Sequence, residues 1–386
     1  MGYVGNSSVF FEGLEKPSCR MDKKQVVVPT PALLAKQNQS HQDKGQRYFL
    51  SGGERNPLKT MTTIIAEHIN SQPIEIRVGG KSVLVPSASV QGRKVITTRT
   101  WPAMAAVFDE SLVEGTVLSN PESFVSDLRE TNLKADIFTF AQKVPDTTPR
   151  YKYYLEWDNV AAIPITTYSN WLKNRVEHDV RSAIKKSVRL GVIVRVAEFD
   201  DSFVEGIKGI YDESPIRQGK PFWHYHKDLG TIKQEASTYL ERSTFVGAYY
   251  GNELIGFLKL VLLGKVEAVV LYVISQQQHS NKKPTSALLA KAVEICEQRG
   301  IAFLTYGRYA YRGETSSLTE FKRRNGFEKI LLPRYYIPLT TMGSVALKLN
   351  LHHQLADWLP KCVMAQLRRI RTLWYSRRAA STQEFS

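Results

Sequence analysis

At 386 residues, with 42% hydrophobic and 10% aromatic content, the chain has room for two ordinary domains and is too apolar to be a disordered protein. Its 52 Lys and Arg against 37 Asp and Glu leave a net charge of +15, which suits a polyanionic partner: nucleic acid, a phosphate-bearing cofactor or an anionic membrane face. Cys19, Cys296 and Cys362 are too far apart for a disulfide framework or a cysteine metal site, so no metal is expected and the usage fits a reducing cytoplasm.

Residues 1–60 are rich in Gln, Lys, Ser, Asn and Gly without periodicity, and are expected to be a disordered extension. Met1–Glu15 lacks the basic head and apolar run of a signal peptide. Residues 61–160 read as a reduced α+β unit. Two short strands flank Gly79-Gly80, Lys94–Thr98 makes a third, Pro121–Glu130 a helix, Asp136–Phe140 a strand and Tyr153–Leu155 another. Residues 161–345 read as a fuller unit. Ser169 is the expected N-cap of a helix whose Leu172, Val176, Val180, Ile184 and Val188 recur every four residues to Gly191. A strand at Val192–Ala197 follows, then a helix capped by Asp201 or Ser202. Next come an aromatic loop and a helix near Thr231–Arg242. The hairpin Phe245–Leu263 and the strand Glu267–Ile274 complete this run. Lys259, Lys265 and Glu267 interrupt the apolar stretch Leu254–Ile274, so it reads as paired strands and not as a membrane span.

The segment from Pro284 onward is the clearest. Leu288, Leu289, Ala292, Val293 and Cys296 line one helix face between Pro284 and Gly300, and Ile301–Gly307 suits a buried strand. Ser317 and Glu320 spell a capping box for a helix over Leu318–Asn325, with Gly326 as its stop. Phe327–Leu339 supplies a last strand. This order, with Tyr306-Gly307 and Phe321-Lys322 at the joints, resembles the FemAB-like acyltransferases of the GNAT class. The resemblance implies an α+β fold of tandem GNAT-like units, with a mixed, mostly antiparallel sheet flanked by helices. It also implies transfer of an acetyl or aminoacyl group, from acetyl-CoA or another acyl-CoA, or from aminoacyl-tRNA, to an amine or hydroxyl. The acceptor would be an amino sugar, a peptidoglycan-type precursor or a related small molecule, in a bacterial cytoplasm or at the inner membrane face.

His224, His226 and Tyr306 are the expected acid–base groups, since acyl transfer must move protons near neutral pH. Lys322 and Arg323, at what reads as a helix start, are expected to hold donor phosphate. His279, Lys282 and Lys283 fall where GNAT enzymes carry a Gly-rich pyrophosphate turn, here without glycine. Arg217, Phe222, Trp223 and Tyr225 resemble an acceptor wall, while Arg181, Lys185 and Arg189 form a basic stripe that reads equally as a solvated helix face. In residues 346–386, Val363, Leu367, Ile370 and Trp374 share a face, with six basic residues between 361 and 378, as in a helix that packs on the domain or lies on an anionic membrane. The reading from a different class is a non-catalytic GNAT-fold module that binds nucleic acid or an anionic surface.

Overall fold

The computed structural model describes residues 72–78, 81–98, 100–311 and 316–353. The expectations for residues 1–60, for the Gly79-Gly80 turn and for the helix after Pro360 lie outside these residues. The first half begins with a hairpin, β1 (Ile74–Val78) and β2 (Lys81–Val85), paired from Ile74↔Val85 to Val78↔Lys81. Then come β3 (Ser87–Val90), β4 (Arg93–Thr97), β5 (Met104–Val107), helix α1 (Pro121–Glu130), β6 (Ile137–Ala141) and β7 (Tyr154–Pro164). Asn120 caps α1 by accepting from the Ser123 amide at 3.1 Å, and Pro121 suits the first helical position, where no N–H is needed.

The second half runs α2 (His178–Arg189), β8 (Val192–Ala197), α3 (Asp201–Asp212), the two-residue strands β9 (Ile216–Arg217) and β10 (Lys220–Pro221), and α4 (Leu229–Ala236). It continues with β11 (Ser243–Tyr250), β12 (Glu253–Leu263), β13 (Glu267–Ser275), α5 (Pro284–Gln298), β14 (Phe303–Thr305), α6 (Ser317–Arg324), β15 (Glu328–Pro338) and α7 (Thr341–Lys348). Eleven of these strands form one sheet in the order β3-β4-β5-β6-β15-β7-β14-β13-β12-β11-β8. It is mixed and mostly antiparallel; only β5 with β6 and β13 with β14 run parallel. This is the α+β layered arrangement expected of tandem GNAT-like units.

Each parallel pair brackets a helix in sequence, α1 in the first half and α5 in the second. The long strand that follows each pair sits beside the pair of the other half. Thus β7 pairs with β14, β15 pairs with β6, and β7 and β15 pair with each other over nine positions from Glu328↔Ala162 to Tyr336↔Tyr154. Residue 160, where the sequence suggests a division, lies inside β7. Strand alternation puts Leu155, Ala161 and Ile163 on one face. There α1 packs with Phe138, Phe140 and Tyr335, and α5 packs with Leu304 and Tyr306. Helix α3 covers the other face through Phe203, Ile207, Ile210 and Tyr211.

Several helix starts differ from expectation. The cap of α3 is Asp200, which accepts from Phe203 N at 2.8 Å, and that of α6 is Ser316, which accepts from Thr319 N at 3.1 Å. Helix α4 begins at Leu229, capped by Asp228 and earlier than expected, and ends at Ala236. The four-residue recurrence before Gly191 is not one helix: a turn capped by Thr167 runs into a π-type turn at Trp171–Arg175, and Val176 is extended. Buried Trp171 overrides the periodicity, because its indole N–H donates to the Asn325 carbonyl at 3.0 Å. Gly326 (φ +81) makes that approach possible, since a Cβ there would sit 3.2 Å from the indole nitrogen. Val188, expected in the core, is 70% exposed.

Charged side chains are buried where the halves interlock. Arg334 of β15 is 7% exposed and pairs with Glu110 at 2.7 Å and Asp158 at 3.1 Å, and it donates to Thr139 at 3.3 Å. Arg334→Ala would leave two interior carboxylates without this cation, a loss expected to cost ~3–5 kcal/mol. Denaturant unfolding checks it; a loss below ~1 kcal/mol, the range of a surface ion pair, contradicts this placement.

Candidate active site

Parallel pairing of β13 and β14 stops at Val269↔Thr305. Strand β13 continues to Ser275, whereas the chain after β14 turns to β7, with Tyr306 N donating to Ala161 O at 2.9 Å. Val270–Ile274 are all buried, and among the described residues no strand continues the ladder on the β13 edge that β14 has left. A strand edge that no neighbouring strand continues is a natural seat for a ligand that can extend the ladder.

Lys322 is tied to this outgoing chain. Lys322 was expected as an exposed lysine at a helix start, but it lies in the last turn of α6 and is fully buried. Its ammonium donates to the Arg308 carbonyl and sits 4.9 Å from the Tyr306 ring centroid and 5.8 Å from that of Tyr311. Burial lowers its pKa from 10.5 to about 7. Tyr306 is also fully buried, and burial pushes its phenol up, so it stays protonated and able to donate. Arg323 does not add a field for phosphate, because Glu320 and Glu177 pair with it at 2.7 and 2.6 Å.

The structure does not bring the three expected acid–base groups together. His224 is fully buried among Trp223, Tyr211 and Phe222, with ring centroids 3.6, 4.3 and 5.2 Å away, and its Nδ1 lies 3.3 Å from Lys227 Nζ. His226 is exposed in a left-handed conformation (φ 59), its backbone N–H donating to Asp212 at 3.1 Å. Tyr306 belongs to the α5 core. Tyr225 packs edge-on to His226, and Arg217, over the Phe222 ring at 4.3 Å, donates to Ser275 O at 2.9 Å and Ile210 O at 2.6 Å. The aromatic loop therefore docks onto the end of β13, next to the vacated edge.

Between β13 and α5 the turn is already occupied. The Glu213 carboxylate accepts from Gln277 N at 2.7 Å and Gln278 N at 2.8 Å, and pairs with Arg217 at 3.1 Å. Where a Gly-rich turn would offer amides to pyrophosphate, these two amides hold a side chain of the protein itself. His279 faces Glu253 at 3.3 Å and Lys282 at 3.1 Å, and Lys282 covers the Tyr250 ring at 4.3 Å. Lys283 is exposed with φ 59, just before Pro284 opens α5. On α2, Arg181 turns back to the Val176 carbonyl, which leaves Lys185 and Arg189 exposed in the basic stripe.

Sequence reasoning missed Glu213 and a second set of groups around the interlocked strands. Here a cavity of about 140 Å³ is lined by Glu110, Lys143, Asp158, Glu267, Arg308 and Arg334. Lys143 pairs with Glu267 at 3.0 Å and Arg308 with Asp158 at 3.2 Å. Burial alone would raise the Asp158 pKa, but Arg308 and Arg334 outweigh it and hold the carboxyl below its usual range. The available signal was a charge beside or within an apolar run: Glu267 opening β13 and Arg334 amid β15.

The lowered Lys322 pKa makes stability depend on pH. Between about pH 7 and 10.5 the folded chain has shed this proton while the unfolded chain keeps it, so stability rises with pH through that window. Lys322→Met removes this contribution, up to ~1.4 kcal/mol per pH unit, and should stabilise the protein most at and below pH 7. Denaturation midpoints of both proteins across pH 6–10 check this; parallel curves would show that Lys322 is not desolvated.

No family model matches the sequence, and no curated protein matches it. The chain is similar to several solved structures. They include FemX, 11% identical over 70% of this chain and 89% of that one, at a TM-score of 0.46. They include L-PGS from Bacillus licheniformis, 12% identical over 77% and 96%, at 0.44. A tandem GNAT protein from the clavulanic acid biosynthesis pathway is 10% identical over 68% and 81%, at 0.37.

Proposed function

We propose that the chain is an acyltransferase that moves an acyl or aminoacyl group to an amine or hydroxyl of a small or glycan-precursor acceptor. The observation that carries this reading is the parting of β14 from β13 after Val269↔Thr305, with buried Tyr306 on the departing chain and buried Lys322 bonded to that chain at the Arg308 carbonyl. A donor laid along the vacated β13 edge extends the ladder, and its carbonyl then lies among fixed N–H groups. Such preorganised donors stabilise the oxyanion that forms when the acceptor attacks. Lys322, with a pKa near 7, is matched to taking the proton the acceptor loses; Tyr306, held protonated, is matched to donating to the departing oxygen or sulfur. His224 and Arg217 act by shaping the loop that docks on β13.

Of the two donor classes, the closed turn favours aminoacyl-tRNA. Glu213 opposes a pyrophosphate at the Gln277 and Gln278 amides, whereas a tRNA backbone can meet exposed Lys185, Arg189 and Lys283. The same closed turn also favours a second reading, a module that binds nucleic acid without turnover. Among the described residues no helix is long and apolar enough to cross a membrane, and a peripheral contact with an anionic inner membrane face belongs to the proposal.

The test compares acetyl-CoA, longer acyl-CoA species and aminoacyl-tRNA by thermal shift, and then by transfer of labelled acyl group to an amino-sugar panel. The expected result is salt-sensitive stabilisation by aminoacyl-tRNA with label transfer, and loss of transfer in Lys322→Met. Binding without transfer to any acceptor supports the module, and no response to any donor contradicts both readings. Glu213→Gln should strengthen acetyl-CoA binding by on the order of 10-fold, the worth of one relieved like-charge contact.

A further inference from the structure

Beyond this site, Glu156, His352 and His353 place one carboxylate oxygen and two imidazole nitrogens at a common point. His352 Nε2 is 3.0 Å and His353 Nε2 3.1 Å from the same Glu156 Oε1. The ligand atoms of the three residues all lie within 4.8 Å of one another. We propose that this trio binds a zinc-class divalent transition-metal ion.

The geometry carries the assignment. Ligand bonds of ~2.0–2.1 Å in a tetrahedral site put neighbouring ligand atoms about 3.3 Å apart, and these separations are already close to that value. Two imidazoles converging on one oxygen is an inefficient use of a carboxylate with two oxygens, but it is the arrangement a shared cation would impose. The other oxygen, Oε2, accepts from the Tyr336 hydroxyl at 3.3 Å, which fixes the carboxylate plane as outer partners of metal ligands do. Both histidines are more than nine-tenths buried, at 6% and 8% exposure, and their Nδ1 atoms have no hydrogen-bond partner among the described residues. The Nδ1 atoms lie on the far side of each ring from the proposed ion, so it is the buried Nε2 pair facing Glu156 that the assignment rests on.

The surroundings fit a cation held away from water. Tyr154 and Tyr336 stand against the His352 ring at 5.5 and 4.9 Å, and the two imidazoles lie 4.1 Å apart, tilted by 37°. Two imidazoles with one carboxylate select zinc, cobalt or nickel over magnesium or calcium, which prefer all-oxygen sites. Glu156 lies in β7 and the histidines follow α7, so the ion would pin the chain after α7 to the interlocked strands.

The test uses the full chain, stripped with a chelator and titrated with Zn²⁺ by calorimetry and with Co²⁺ by visible absorption. One equivalent should bind, with a raised melting temperature and cobalt bands of a low-coordinate N/O site. His353→Gln and the near-isosteric Glu156→Gln should each weaken binding by ~10-fold or more, relative to a chain whose circular dichroism is unchanged. Failure of the chelated chain to bind either ion overturns the proposal. So does binding that Glu156→Gln leaves unchanged, because the ion would then sit elsewhere.

Discussion

The arrangement depends on one buried cation. Arg334 sits where β15 leaves the second half and pairs with β6 of the first, and it holds Glu110 and Asp158 together. A guanidinium taken from water recovers its hydration cost only with well-placed anions and acceptors, and here two carboxylates and the Thr139 hydroxyl provide them. The three groups come from the turn after β5, from β7 and from β6. None of these segments can shift without leaving a charge unmatched, so the ion cluster selects one register for the interlocked strands. The cavity lined by Glu267, Lys143 and Arg308 is an outcome of that constraint.

The same interlocking shapes the candidate site. Because β7 sits beside β14, the chain after Thr305 follows β7 and departs from β13, so the vacated edge follows from the strand order. Lys322 then seals the outgoing chain by donating to the Arg308 carbonyl, while the Arg308 side chain reaches Asp158 in the cluster. The proposed proton-accepting amine and the inter-half ion cluster are thus joined through a single residue. Glu213 plays a comparable part on the other side: it closes the turn before α5 and anchors Arg217, which in turn holds the end of β13.

Much of the fold was legible because its signals are local. Pro284 and Gly300 bound α5, the Gly251-Asn252 turn joins β11 to β12, and the apolar run after Gly300 gave β14 beside β13. The site was less legible because its determinants are burial and partners at long range. Phe321-Lys322 reads as a basic helix start, and only the packing of Tyr306 and Tyr311 shows that the amine is interior. Arg323 looks like part of a basic cluster until Glu177, far away in sequence, neutralises it. Glu213 is one acid at a helix end, with nothing nearby to mark it as the occupant of a turn more than sixty residues on. The misplaced helix before Gly191 has the same cause: the distant Asn325 carbonyl draws Trp171 inward and breaks a periodicity that was sound in itself.

Native-state hydrogen exchange across the four central strands tests the interlocking most directly. If β15 and β7 bind the halves into one cooperative unit, the ladder amides of β6, β15, β7 and β14 should exchange only through a common opening. Their free energies and denaturant dependence should then be the same. Exchange of β6 through a separate, lower-energy opening that leaves β7 and β14 protected would contradict it, and would mean that the halves fold independently and merely touch.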